Sequence, residues 1–226
     1  MMRPFFRGLL DSLSIGIGYV PVAASFGLAA VHADVSPLVA IFISIVVYAG
    51  ASQFILVSLI ASGSSAISMV AIVLLMNLRH AFYGPAVINK LDAAQRRFPA
   101  FLLAAGLTDE VFAASVSKLG LRPAAERESW YAGLQLGAYS CWVLGTALGA
   151  YIGHDLLRQS AILSQTLSFV LPALFFALLL EIRQITPLYV LIGTAIATWV
   201  ALWLLPAYGA IIAGMLAGAF LAGRRG

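Results

Sequence analysis

The sequence contains one cysteine, Cys141, which excludes an internal disulfide framework and any thiolate metal cluster within the chain. Cys141 lies in an apolar stretch and reads as a small core residue. Charge is also scarce: 13 Lys and Arg against 9 Asp and Glu, 10% of the residues. A chain so poor in charge and 62% hydrophobic is not built for water as its main solvent. Several chemical signatures are missing as well. No Gly-x-x-x-x-Gly-Lys-Ser/Thr run cradles a nucleotide, and no Gly-x-Ser-x-Gly elbow carries a nucleophile. Neither His-Glu-x-x-His nor His-x-x-x-His offers metal ligands, and two of the three histidines, His32 and His154, fall in joints between apolar stretches. No cofactor is therefore expected, and the chain does not power itself with ATP. The net charge of +4 and pI near 9.5 would suggest nucleic acid in a soluble protein. Here the basic residues sit in short loops and at the ends, where they set membrane orientation, so no nucleic-acid partner is expected.

What is present in abundance is long apolar runs. A hydrocarbon core about 30 Å thick takes about 20 helical residues to cross. Apolar stretches of that order fall at 12–31, 37–60, 66–89, 98–117, 129–153, 161–181, 186–204 and 206–222, joined by short segments rich in charge, Pro, Gly and Ser. The expectation is an all-α, polytopic helical membrane protein with about eight transmembrane helices, forming a single domain over residues 1–226. Seven spans result if the last two stretches form one element kinked at Pro206. The basic N-terminus, Met1 to Arg7, resembles the start of a signal peptide. The run after Asp11 is long, contains Pro21 and leads into further spans, so it is read as uncleaved.

Basic residues set the expected orientation. With eight spans, one side holds Arg3, Arg7, Lys118, Arg122, Arg127, Arg183, Arg224 and Arg225, and the other holds Lys90, Arg96, Arg97 and Arg158. This favours cytoplasmic termini; the Lys90–Arg97 loop argues against it, and a re-entrant or broken helix among the first four would move that loop. Small residues recur at helical spacing at Gly133 and Gly137, at Gly145, Gly149 and Gly153, and at Gly214 and Gly218. Such rows are packing seams, and the row from Gly145 suits the helix of another subunit. The run from Pro21 to Phe26 followed by Ser36-Pro37-Leu38 echoes the run from Pro172 to Phe176 followed by Thr186-Pro187-Leu188. Five helices separate the copies, the pattern of an inverted repeat.

Ionisable groups inside spans are the informative ones. The third stretch holds Asn77-Leu78-Arg79-His80 and the fourth holds Thr108-Asp109-Glu110. An unpaired ion at mid-membrane costs about 2.5–3.5 kcal/mol on insertion scales, so these residues pair or line a wet cavity. Arg79 with Asp109 or Glu110 is the natural pair, leaving the other carboxylate to meet a proton or a substrate amine. A plain helix-to-helix clamp is the competing account, and His80 beside them is a candidate titrating group or a simple hydrogen bonder. Pro21, with Gly16, Gly18, Ser25 and Gly27 around it, is expected to open the first span into a broken helix that contacts substrate, Phe26 resting against the side chain. Gln53 and Asn77 add amides at membrane depth.

Together Pro21-x-Ala23-x-Ser25-Phe26-Gly27, Ala49-Gly50-Ala51-Ser52-Gln53-Phe54, Asn77-Leu78-Arg79-His80-x-x-Tyr83-Gly84 and Thr108-Asp109-Glu110-x-Phe112-Ala113 resemble the AzlC family of branched-chain amino acid transport proteins. Met76 and Phe82 depart conservatively from the family pattern. The resemblance implies the large subunit of a two-component exporter in the bacterial cytoplasmic membrane. Its partner would be a small hydrophobic AzlD-type subunit, and its substrates valine, leucine, isoleucine and their analogues. Residues alone lead only to a secondary transporter with an intramembrane charge cluster. Two other readings compete: the permease of an ATP-driven transporter, and an intramembrane enzyme using His80, Asp109 and Glu110. The first lacks an extended docking segment in its only long loop, 118–128, and the second lacks a paired aspartate at depth.

Overall fold

The computed structural model describes residues 3–78, 80–91, 97–159, 176 and 186–223, without the side chains of 82, 153–159, 207 and 208. Arg79, most of the sixth apolar stretch and the second copy of the proline echo lie outside the described residues. The described chain is helical throughout: α1 (Pro4–Asp11), α2 (Leu13–His32), α3 (Pro37–Val47), α4 (Gly50–Ala61), α5 (Ala66–Asn77) and α6 (His80–Ile88). It continues with α7 (Ala100–Ala105), α8 (Asp109–Lys118), α9 (Ala124–Gln159), α10 (Leu188–Ala201) and α11 (Ala207–Gly223). Ser36, Ser65 and Thr108 cap α3, α5 and α8 by accepting from the backbone N–H three residues on, which fixes where those helices start.

Among the described residues only α2 is both long and apolar enough to cross a bilayer unaided. It is continuous through Pro21, so the opening expected there is absent. The helix absorbs the proline within a single packed rod, and Ser25 Oγ donates to the Pro21 carbonyl at 2.9 Å instead of facing a cavity. α9 has 36 residues and so extends about 54 Å. It lies beside α1 and α2, running in the same direction. Gly8 meets Trp130, Gly16 meets Cys141, Gly145 meets Val20 and Ala23, and Gly149 meets Ala24. Gly145 and Gly149 are therefore spent inside the chain, where a Cβ would collide with α2. That part of the row is not free for a partner's helix, and the side chains from 153 onward are not described.

The second and fourth apolar stretches each turn back on themselves. α3 descends from Val35 and Ala40, near the end of α2, to Ile45, whose carbonyl accepts from Tyr139. After a break at Tyr48 and Ala49, α4 climbs back: Gln53 bonds Ser44, Phe54 packs edge-on against Phe26 at 5.5 Å, and Val57 rejoins the cluster of Ala30, Val35 and Ala40. α5 and α6 then run to the opposite end, where the Lys90 carbonyl accepts from Arg127 and Lys90 Nζ donates to the Val116 carbonyl. From that end α7 enters, breaks at 106–108, and α8 returns to Lys118, 3.4 Å from Asp11. Hairpins α3–α4 and α7–α8 thus enter from opposite ends, each following a traversing segment, α2 or α5–α6. The two pairs form an inverted arrangement distinct from the proline echo.

This topology corrects the loop assignment. Lys90 and Arg97 lie at the same end as Arg7, Lys118, Arg122 and Arg127, because the second stretch turns back and the third returns to the Asp11 end, from which the fourth re-enters instead of crossing. Arg122 and Trp130 both donate to Asp11 Oδ2 there, at 2.7 and 2.8 Å. The Arg97 and Phe98 amides donate to Glu128. Around the outside the chain presents Ile17, Leu38, Phe42, Ile67, Leu74, Leu144 and Trp203, each more than half exposed, which is the surface lipid requires.

Candidate functional site

Three helix ends meet at mid-height: Tyr48–Ala49 at the tip of one hairpin, Asn77–Leu78 where α5 ends within the traversing pair, and Gly106–Thr108 at the tip of the other. Each hairpin tip leaves one helix C-terminus and one N-terminus facing the interior, so α4 and α8 bring partial positive charge, and α3 and α7, with the end of α5, partial negative charge. The breaks have local causes. Tyr48 takes the left-handed region at φ 41° and Ala49 is extended, which ends α3 outright. Gly106 closes the other tip against the amide of Gln135, 2.8 Å from where a Cβ would stand.

The first tip is pinned by Gln53, which is fully buried. Its Oε1 accepts from Trp142 Nε1 at 2.8 Å and from the Ala49 N–H at 3.2 Å, while Nε2 donates to Ser44 Oγ at 2.8 Å. Ser44 and Thr146 share a further hydroxyl bond at 2.7 Å. Ser52 Oγ donates to Asn77 Oδ1 at 3.0 Å, tying the first tip to the end of α5.

At the other tip the adjacent carboxylates diverge, as neighbours on a helix do. Asp109 Oδ1 accepts from Tyr83 at 2.8 Å, with the Tyr83 ring stacked on Phe112 at 4.3 Å and edge-on to His80 at 5.6 Å. Glu110 Oε2 accepts from Tyr19 at 2.6 Å, and the same hydroxyl meets Thr108 Oγ1 at 2.5 Å. Glu110 has no ion pair among the described residues, and its side chain is exposed. Tyr19 packs edge-on against Trp142 at 5.0 Å, which links the two tips through α2 and α9.

Of the residues singled out in the sequence, Gln53, Asn77, His80, Asp109 and Glu110 gather around these breaks, and Arg79 lies outside the described residues. Pro21, Ser25, Phe26 and Gly27 do not join them. Phe26 is buried beside Phe54, and Gly27 presses against the backbone of Thr146 to Ala150. Sequence reasoning missed Tyr19, Tyr48, Ser52 and Trp142. The signal was that Tyr and Trp in apolar runs need partners for their polar ends, but which partners only the fold decides.

Tyr48 is the exception to that rule. It is 5% exposed, and its hydroxyl has no hydrogen-bond partner among the described residues. An unsatisfied buried hydroxyl costs about 1–3 kcal/mol, and a non-glycine residue in the left-handed region costs on the order of 1–3 kcal/mol more.

The AzlC protein family matches residues 14–156, which covers α2 through most of α9. The chain is 37% identical over 218 residues to inner membrane protein YgaZ of Escherichia coli K12, covering 96% of this chain and 89% of the relative. It is 40% identical over 220 residues to an uncharacterized membrane protein of Archaeoglobus fulgidus, covering 97% and 94%. The branched-chain amino acid transport protein AzlC of Bacillus subtilis is 26% identical over 179 residues, covering 79% of this chain and 63% of that one. No solved structure matches the chain. With a membrane-facing apolar surface, helices broken at the motif residues and a family match over most of its length, this polytopic helical membrane protein belongs to the AzlC family.

Proposed function

We propose that the chain is the large subunit of a secondary transporter that exports branched-chain amino acids across a bacterial cytoplasmic membrane. In this reading it works with a small AzlD-type subunit and exchanges substrate for protons. The substrate class comes from the Bacillus subtilis relative. The observation that carries the mechanism is Glu110: an exposed carboxylate at the junction of three helix ends, held by the Tyr19 hydroxyl and without a cation among the described residues. A carboxylate there can exchange a proton for the substrate's ammonium group, the antiport step that draws on a proton gradient when no nucleotide site is present.

Asp109, held by Tyr83, serves as the structural half of the charge cluster, with Arg79 as its partner. Substrate contact is assigned to the breaks, with Gln53 and Asn77 nearby, in place of the Pro21–Gly27 segment. The opposed hairpins suit alternating access, since movement of either tip would open the junction toward its own end. The Asp11 end, which carries Arg7, Lys90, Arg97, Lys118, Arg122 and Arg127, faces the cytoplasm.

Inside-out membrane vesicles test this. With the partner subunit present, they should take up labelled valine or leucine when their lumen is acidified, and collapsing the pH gradient should stop uptake. Uptake that ignores the gradient removes proton coupling. Absence of uptake for all three branched-chain amino acids removes the substrate assignment.

A further inference from the structure

We propose that Tyr48 is a substrate ligand, its hydroxyl donating to the carboxylate of a free α-amino acid whose ammonium group rests against Glu110. This rests on the amino-acid transport reading and adds the half of the site that it leaves unassigned.

Buried polar groups are almost always hydrogen-bonded, so a partnerless hydroxyl at the tip of a re-entrant hairpin calls for a reason. The neighbouring hydroxyls are already committed: Tyr139 to the Ile45 carbonyl, Tyr131 to the Leu103 carbonyl, and Tyr19 to Thr108 and Glu110.

Two further features fit an anion there. Tyr48 directly precedes α4, whose N-cap residue Ala49 supplies no side-chain cap, so the first-turn amides present the positive end of that 12-residue helix. Gln53 Oε1 holds the Ala49 N–H and keeps the hairpin tip in this geometry. Tyr48 also shares a buried cluster with Tyr19, whose hydroxyl holds Glu110 through Oε2 alone. A donor beside a helix N-terminus, joined through Tyr19 to a carboxylate, offers the two halves that a zwitterion needs and an amine or an acid alone does not.

The test uses the full-length protein purified in detergent with any subunit that accompanies it. It is titrated with L-valine, with isobutylamine, which lacks the carboxylate, and with isovalerate, which lacks the amine. Wild type should favour valine over both. Tyr48→Phe should weaken valine about tenfold or more, the scale of a lost charge-assisted hydrogen bond, while leaving isobutylamine unchanged. Glu110→Gln should weaken isobutylamine and valine alike.

Unchanged valine binding in Tyr48→Phe, or equal loss for valine and isobutylamine, overturns the assignment while leaving the transport reading intact. Failure of wild type to bind any branched-chain amino acid overturns both. Because the removed hydroxyl has no partner among the described residues, ligand-free Tyr48→Phe should melt at or above the wild-type temperature. A lower melting temperature would mean that the hydroxyl has a structural role, and the assignment would fall.

Discussion

Tyr19 on α2 donates its hydroxyl to Glu110 on α8 at 2.6 Å, across 91 residues of sequence, and so ties a continuous helix to the tip of a re-entrant hairpin. Both carboxylates of the Asp109-Glu110 pair are met by tyrosines, but from opposite sides: Tyr83 from α6 and Tyr19 from α2. That division lets one carboxylate hold structure while the other stays accessible.

Glu110→Gln should fold normally, because a glutamine amide still accepts from Tyr19. Its valine transport should lose its response to pH, which flux measured over a range of lumenal pH in vesicles would show. Asp109→Asn should instead lower the thermal unfolding temperature in detergent, since on the proposed pairing it leaves the Arg79 guanidinium without its carboxylate. Wild-type, pH-dependent transport in both variants would remove the cluster from the coupling mechanism.

Replacing Gln53 by leucine removes one buried acceptor and one buried donor together. Trp142 Nε1 and the Ala49 N–H lose their acceptor, and each such loss costs about 1–3 kcal/mol. The expected outcome is a drop in stability of about 3 kcal/mol or more, read from chemical or thermal unfolding. A stable Gln53→Leu protein would show that the hairpin tip does not depend on this pin.

Gly27→Ala and Gly149→Ala should both destabilise, because each glycine lies where a Cβ would run into the facing backbone of the α2–α9 seam. Overpacking of this kind costs about 1–3 kcal/mol. Protein that survives should keep its apparent affinity for valine, since neither residue lines the junction. A selective change in affinity, with stability intact, would restore Gly27 to the binding site.

Glu128→Ala should loosen the entry of α7, because Glu128 accepts both the Arg97 and Phe98 amides that lead into it. Faster hydrogen exchange confined to residues 97–105 is the expected signature. Unchanged protection there would show that the hairpin is anchored by its tip alone.

The sequence by itself determined the class of solvent and the all-helical fold. Apolar length and scarce charge dictate both. The sequence also singled out the Asn77–His80 and Thr108–Glu110 segments, because polar and ionisable groups cannot lie unpaired in hydrocarbon, but not that helices end beside them. Pro21 gave a false signal, since a proline in a well-packed helix costs one backbone bond and need not open the chain. Whether a broken stretch crosses or turns back was not legible either. Both outcomes need the same apolar composition, and only the pairing of Gln53 with Ser44 and of Lys90 with Val116 distinguishes them. Tertiary structure alone brought Tyr19 to Glu110 and buried Tyr48 beside Tyr19, because contacts between helices depend on rotation and depth, which a run of apolar residues leaves undetermined.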